Sequence, residues 1–198
     1  MNTAKRFDTR KLVLLALLTA IVVVLQILAI VTRPLLPLFS ISLVLLPITV
    51  GAALIGVPAG GWLGLVFGLA VLISGDAAPF MVVNPLGTVL LVLLKGTLAG
   101  LAAGAVYKLF ASKSKTAAAA VAAAVCPIVN TGIFVIGSYA FFLPTITGWA
   151  EALGFASGTA YIFLGMAGVN FLIELGLNLV LIPVIVRLIQ FGQDRRTV

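Results

Sequence analysis

Lys95 and Glu174 are charged residues set deep inside long apolar stretches, and the polar residues near them are amides and hydroxyls. Asn170, Glu174 and Asn178 are spaced by four, so on a helix they share one face. Asn130 and Thr131 lie in a second apolar stretch with Ser138 beyond them, and Asn84 and Thr88 head the stretch that carries Lys95. Thr88 and Lys95, two helical turns apart, share a face as well. A lysine neutralises a carboxylate, and an asparagine donates and accepts in the same place. The set therefore suits non-covalent capture of a small ligand with acid, amide or hydroxyl groups. The competing reading is that Lys95 and Glu174, opposite in sign and similar in depth, pair with each other and bind nothing.

The same residues do not make a catalyst. The chain has no histidine, so a histidine base and a histidine-ligated metal are excluded. No serine has an activating partner, Asp76 and Glu174 are expected at different depths, and no glycine-rich phosphate loop is present. Cys126 is the single cysteine, which leaves it neither a disulfide partner nor a thiolate cluster. The expectation is a protein that is not an enzyme and holds no metal or cofactor of its own.

The elements that must position these residues follow from composition. Of 198 residues 63% are hydrophobic and only 9% charged, too few charges to cover a water-soluble surface. The charges cluster at the N-terminus, in a short middle loop and at the C-terminus, and the apolar runs between them have lengths that cross ~30 Å of hydrocarbon. The net charge of +7 would fit nucleic acid in a soluble protein. Here the cations flank apolar spans, where cytoplasmic anchoring explains them, so no nucleic-acid partner is expected. Lys5, Arg6, Arg10 and Lys11 before an apolar run imitate a signal peptide, but the run is too long and has no small-residue cleavage site before Arg33.

These observations predict an all-α integral membrane protein, one transmembrane domain over 1–198 with six helices at about 11–31, 43–55, 59–73, 85–108, 117–142 and 160–189. Arg33, Pro34 and Pro37 end the first helix, and Ser40 and Ser42 lie in the turn that follows. Gly56, Val57 and Pro58 make a tight turn between the second and third helices, which are short enough to form a re-entrant hairpin instead. Ser74 to Asn84, with Gly75, Asp76 and Pro79, reads as an outer loop, and Pro85 opens the fourth helix at its favoured first position. Pro127 is expected to kink the fifth helix, and Pro144 to Thr159 to form a long polar connection with Trp149 and Glu151. Ten of the twelve Lys and Arg residues fall at the two ends and in the loop after the fourth helix, which places both termini in the cytoplasm. Trp149 and Tyr161 are expected in an outer interfacial belt. The second and third helices offer almost no polar groups, so the ligand groups are expected from the last three helices alone.

Small residues give a second pattern. Gly60, Gly64 and Gly68 on the third helix, Gly96, Gly100 and Gly104 on the fourth, and Ala16 and Ala20 on the first are each spaced by four, which lets helix backbones approach closely. The glycine rows are read as internal packing, and the alanine row as a face that another protein could use.

Taken together, the basic N-terminus, Ala16-x-x-x-Ala20, six spans and polar groups on the last three helices resemble the substrate-binding S components of energy-coupling factor (ECF) vitamin transporters, over nearly the whole chain. Val83-Asn84-Pro85-Leu86 with Lys95, Asn130-Thr131-Gly132, and Gly168-Val169-Asn170 with Glu174 look most like the pantothenate (PanT) group of that family. The resemblance implies a high-affinity binding subunit of an ABC-type importer in the bacterial cytoplasmic membrane. Its implied partners are a transmembrane coupling subunit and two ATPase subunits, which use the ATP. It implies a substrate site of Asn84, Lys95, Asn130, Thr131, Asn170 and Glu174, to which the face shared with Lys95 adds Thr88, and a partner interface at Ala16 and Ala20. The family's alanine row often continues one turn further, where this chain has Val24. Riboflavin or another water-soluble vitamin is the alternative ligand, and a scaffold of the rod-shape-determining MreD type the alternative protein. The scaffold would not need polar residues converging at depth.

Overall fold

A computed structural model describes residues 9–32 and 43–187. The expectations placed on Lys5, Arg6, Arg33, Pro34, Pro37, Ser40, Ser42 and the last residues of the sixth helix lie outside the described residues. Among those described, every regular element is helical: α1 (Thr9–Thr32), α2 (Leu45–Leu54), α3 (Val57–Ile73), α4 (Ala78–Val83), α5 (Pro85–Phe110), α6 (Lys115–Ala152), α7 (Gly158–Ala160), a π-helical segment (Tyr161–Gly168) and α8 (Val169–Val180).

Among the described residues, four stretches are long and apolar enough to cross a membrane: Thr9–Val31, Pro85–Phe110, Lys115–Ala152 and Gly158–Val180. At 10 and 17 residues, α2 and α3 are shorter, about 15 and 26 Å of helix rise. Eight residues of α2 are buried, among them Leu45, Ile48 and Thr49. A short helix at membrane depth needs that protein cover, because lipid cannot satisfy its end groups. The turn before α3 sits at Gly56, whose φ of 133° is open to glycine, so Val57 and Pro58 begin the helix rather than form the turn.

The glycine rows pack against each other as read. A Cβ at Gly64 would strike the carbonyl oxygen of Gly96, and one at Gly60 that of Gly100, so α3 and α5 touch backbone to backbone. Dispersion across such a contact holds helices together in lipid, where apolar burial gives no drive. It also sets how α5 is rotated, and with it the position of Lys95, next to Gly96.

One expectation is corrected. The segment after Phe142 is not a polar connection: α6 continues through Pro144 to Ala152. Phe142, Ile146 and Ala150 are each fully buried at a spacing of four, and that apolar period outweighs the polar look of Thr145, Thr147 and Glu151. Trp149 and Tyr161, expected at an outer interface, both make contacts inside the protein. Trp149 packs on Phe80 at 5.5 Å between ring centroids, and Tyr161 lines an internal cavity. Within the loop expected at 74–84, α4 forms a single helical turn and a half, clamped to α6 by Phe80 against Phe134 and Phe142 at 6.1 and 4.9 Å.

Candidate functional site

One cavity of about 550 Å³ gathers most of the deep polar groups. Lys95, Asn130, Thr131, Asn170 and Glu174 all line it, from α5, α6 and α8. Its aromatic wall is Phe67 of α3, Phe80 of α4, Phe134 of α6 and Tyr161 of the π segment. A volume of this size takes a small organic molecule.

Each polar group reaches the cavity for a local reason. Lys95 extends between two rings, with Nζ 5.7 Å from the centroid of Phe67 and 5.3 Å from that of Phe134. Ring faces attract a cation at such distances without satisfying its N–H donors. Among the described residues no ion pair joins Lys95 to Glu174, so the simple pairing of these two is not what the geometry shows. Asp76 and Glu174 are nonetheless near enough to act on the ammonium electrostatically.

Glu174, only 5% exposed, is held by its own helix instead. Asn170 Nδ2 donates to Glu174 Oε1 at 3.1 Å, one turn away, and Asn178 Nδ2 donates to the Glu174 backbone carbonyl at 2.8 Å. The expected polar stripe therefore exists, and it divides: Asn170 and Glu174 reach the cavity, and Asn178 stays buried behind them. Asn130, on α6, is buried and its Oδ1 has no hydrogen-bond partner among the described residues. A buried amide oxygen without a partner costs about 1–3 kcal/mol.

Two residues expected at the site are not at its wall. Asn84 caps α5, its side chain accepting from Gly87 N at 2.9 Å, and Thr88 donates its hydroxyl to the Asn84 carbonyl at 2.8 Å. Asparagine before proline is a strong cap signal, and that local role accounts for both side chains.

Two polar residues that sequence reasoning left out do line the cavity: Gln26 of α1 and Asp76 of the turn between α3 and α4. Gln26 had a readable signal, since it is an amide in the middle of an otherwise apolar span. Asp76 did not, because its loop position hid that it shares a cavity with Glu174. The site is thus walled by α1, α3 and α4 as well as by the later helices.

A helical membrane bundle enclosing a cavity with one lysine, two carboxylates, several amides and an aromatic wall is a ligand-binding protein of the bilayer. Residues 10–186 match the family described as ECF transporter, substrate-specific component, and the chain belongs to that family. No curated protein and no solved structure matches it. The chain is accordingly a substrate-specific subunit of an ECF transporter, a transport component rather than an enzyme, with a small-molecule substrate and with ECF transmembrane and ATPase subunits as partners.

Proposed function

We propose that the protein binds a water-soluble vitamin, pantothenate, with high affinity in the 550 Å³ cavity and delivers it to an ECF importer in the bacterial cytoplasmic membrane. The observation that carries this reading is Lys95, a cation on the cavity wall with ring contacts but no ion pair among the described residues. A carboxylate on the ligand completes it. Asn130, Thr131, Asn170 and Glu174, which line the same cavity, supply further polar contacts. Six crossings with both ends in the cytoplasm fit the cation distribution, with α2 and α3 as the two short spans.

The test is equilibrium titration of purified protein with pantothenate, riboflavin and a panel of other vitamins, together with mass spectrometry of the denatured sample for a retained ligand. Pantothenate is expected to bind at nanomolar to low-micromolar concentration. Riboflavin binding instead would reassign the ligand, and a protein that ignores the whole panel would overturn the vitamin reading.

Partner contact is proposed at Ala16 and Ala20. Both are exposed on α1 and share a face with Val24, which extends the smooth surface by a bulkier residue. Small residues let a partner helix approach to backbone distance. Ala16→Leu with Ala20→Leu is expected to remove most of the coupling subunit that copurifies with the protein, and to leave the vitamin dissociation constant within about twofold. Undiminished copurification would move the interface elsewhere.

A further inference from the structure

Between α7 and α8 the chain leaves α winding: Tyr161–Gly168 is π-helical, with backbone bonds that reach back five residues instead of four. The side chains repeat at that spacing. Tyr161 and Met166 both line the cavity, and Ile162 and Ala167 are both buried, whereas Phe163 and Leu164 are exposed. An α-helix turns about 100° per residue, which would set residues five apart about 140° from each other. The slower π winding keeps them on one face.

That winding decides what the following helix presents. Nine α-wound residues would put Asn170 about 180° from Tyr161, on the opposite side of the helix. In the structure Tyr161, Asn170 and Glu174 line the same cavity, because a π turn spends more residues than an α turn. Gly168 makes room for this path. A Cβ there would strike the carbonyl oxygen of Phe163, five residues back, where the π turn closes. Gly165 seats the ring of Tyr161, since a Cβ at that position would strike it, and Phe155 packs on the same ring at 4.9 Å between centroids.

We propose that the π turn sets the register of the binding site and that Gly168 is its positioning residue, placing Tyr161 on the same face as Asn170 and Glu174 so that one ligand meets all three. Gly168 touches no ligand and acts through the winding alone. The inference rests on the pantothenate reading of the cavity. Closing the turn into α winding rotates Asn170 and Glu174 off the wall that Tyr161 occupies. Losing one residue compensates, because eight α-wound residues return Asn170 to about 80° from Tyr161.

The experiment measures the pantothenate dissociation constant and thermal unfolding, in one detergent, for wild-type protein, Gly168→Ala, a deletion of Leu164, the two changes combined, and a deletion of Leu172. Leu164 and Leu172 are 65% and 66% exposed, so neither deletion removes a packed side chain. Gly168→Ala is expected to weaken binding by about 10- to 100-fold, the worth of one or two hydrogen bonds to charged groups, and the combined variant to recover to within about fivefold of wild type. A merely structural role for Gly168 would not be rescued by losing a second residue. Deletion of Leu164 alone is expected to keep most of the affinity, and it decides the matter if Gly168→Ala does not fold. Deletion of Leu172, in α-wound chain between Asn170 and Glu174, is expected to abolish binding. A Gly168→Ala protein that binds like wild type, a combined variant without recovery, or two deletions that behave alike overturns the inference and leaves the vitamin site in place. Wild-type protein that does not bind pantothenate overturns the pantothenate reading, and this inference with it.

Discussion

Replacing Lys95 by alanine is expected to weaken pantothenate binding on the order of 100- to 1,000-fold and to leave the protein inserted, monodisperse and no less stable to heat. The affinity loss follows from burial: removing one partner of a desolvated, hydrogen-bonded charge pair costs about 2–5 kcal/mol, because the other charge stays behind unpaired. Stability goes the other way. Lys95 has ring contacts but no ion pair among the described residues, so its loss gives up two cation–π contacts of about 0.5–2 kcal/mol each and its attraction to Asp76 and Glu174, and relieves the desolvation of an ammonium at membrane depth. These terms oppose each other and leave little net change. Lys95→Met separates the two effects further, since it keeps the stem between Phe67 and Phe134 and removes only the charge. Titration calorimetry and thermal unfolding in the same detergent measure both quantities. A Lys95→Ala protein with an unchanged dissociation constant would take the lysine out of the site and withdraw the main support for an acidic ligand.

Gly64→Leu is expected to abolish folding, and Gly64→Ala to destabilise by about 3 kcal/mol, the upper end of the usual cost of overpacking. The reason is what a Cβ would meet. At most buried positions an added methyl presses on the end of a side chain, which swings aside. At Gly64 it meets the carbonyl oxygen of Gly96, and at Gly96 it meets the carbonyl oxygen of Gly64, so relief requires moving a whole helix. Because the same seam fixes the rotation of α5, partial relief would also displace Lys95, and surviving Gly64→Ala protein should bind ligand more weakly. Gly148→Ala is the control. It lies in α6 with nothing within 4 Å of an added Cβ, so the gain in helix propensity makes it neutral or up to about 1 kcal/mol more stable. Thermal unfolding and size-exclusion behaviour distinguish the three variants. If Gly64→Ala matched Gly148→Ala, the backbone contact between α3 and α5 would not be a determinant of the fold.

The helical bundle and the depth of its ionisable residues were legible in the chain because lipid imposes rules that act on short segments. An apolar run must be long enough, its backbone must satisfy itself by helix formation, and a charge within it must face protein or water. Lys95, Glu174, Asn130, Thr131 and Asn170 could be picked out on those grounds, and all five line the cavity. The glycine rows were legible for the same reason, since close approach needs small residues at one helical spacing. Segments that follow a three-dimensional partner rather than the bilayer were misread. Thr145 to Ala152 looks like a loop by polarity and is helix because Phe142, Ile146 and Ala150 are buried.

Composition and spacing by themselves determined that this is a membrane protein of apolar helices with a buried set of amides and charges fit to hold a small ligand. Only the tertiary structure decided which of those groups meet. It brought Gln26 and Asp76 to the cavity, engaged Asn84 and Thr88 in the start of α5, and left Lys95 between two rings rather than on Glu174. The physical reason is that depth along a helix is set by local sequence, whereas the direction a side chain faces is set by helix rotation. Rotation depends on contacts such as the Gly64–Gly96 seam, between residues far apart in the chain.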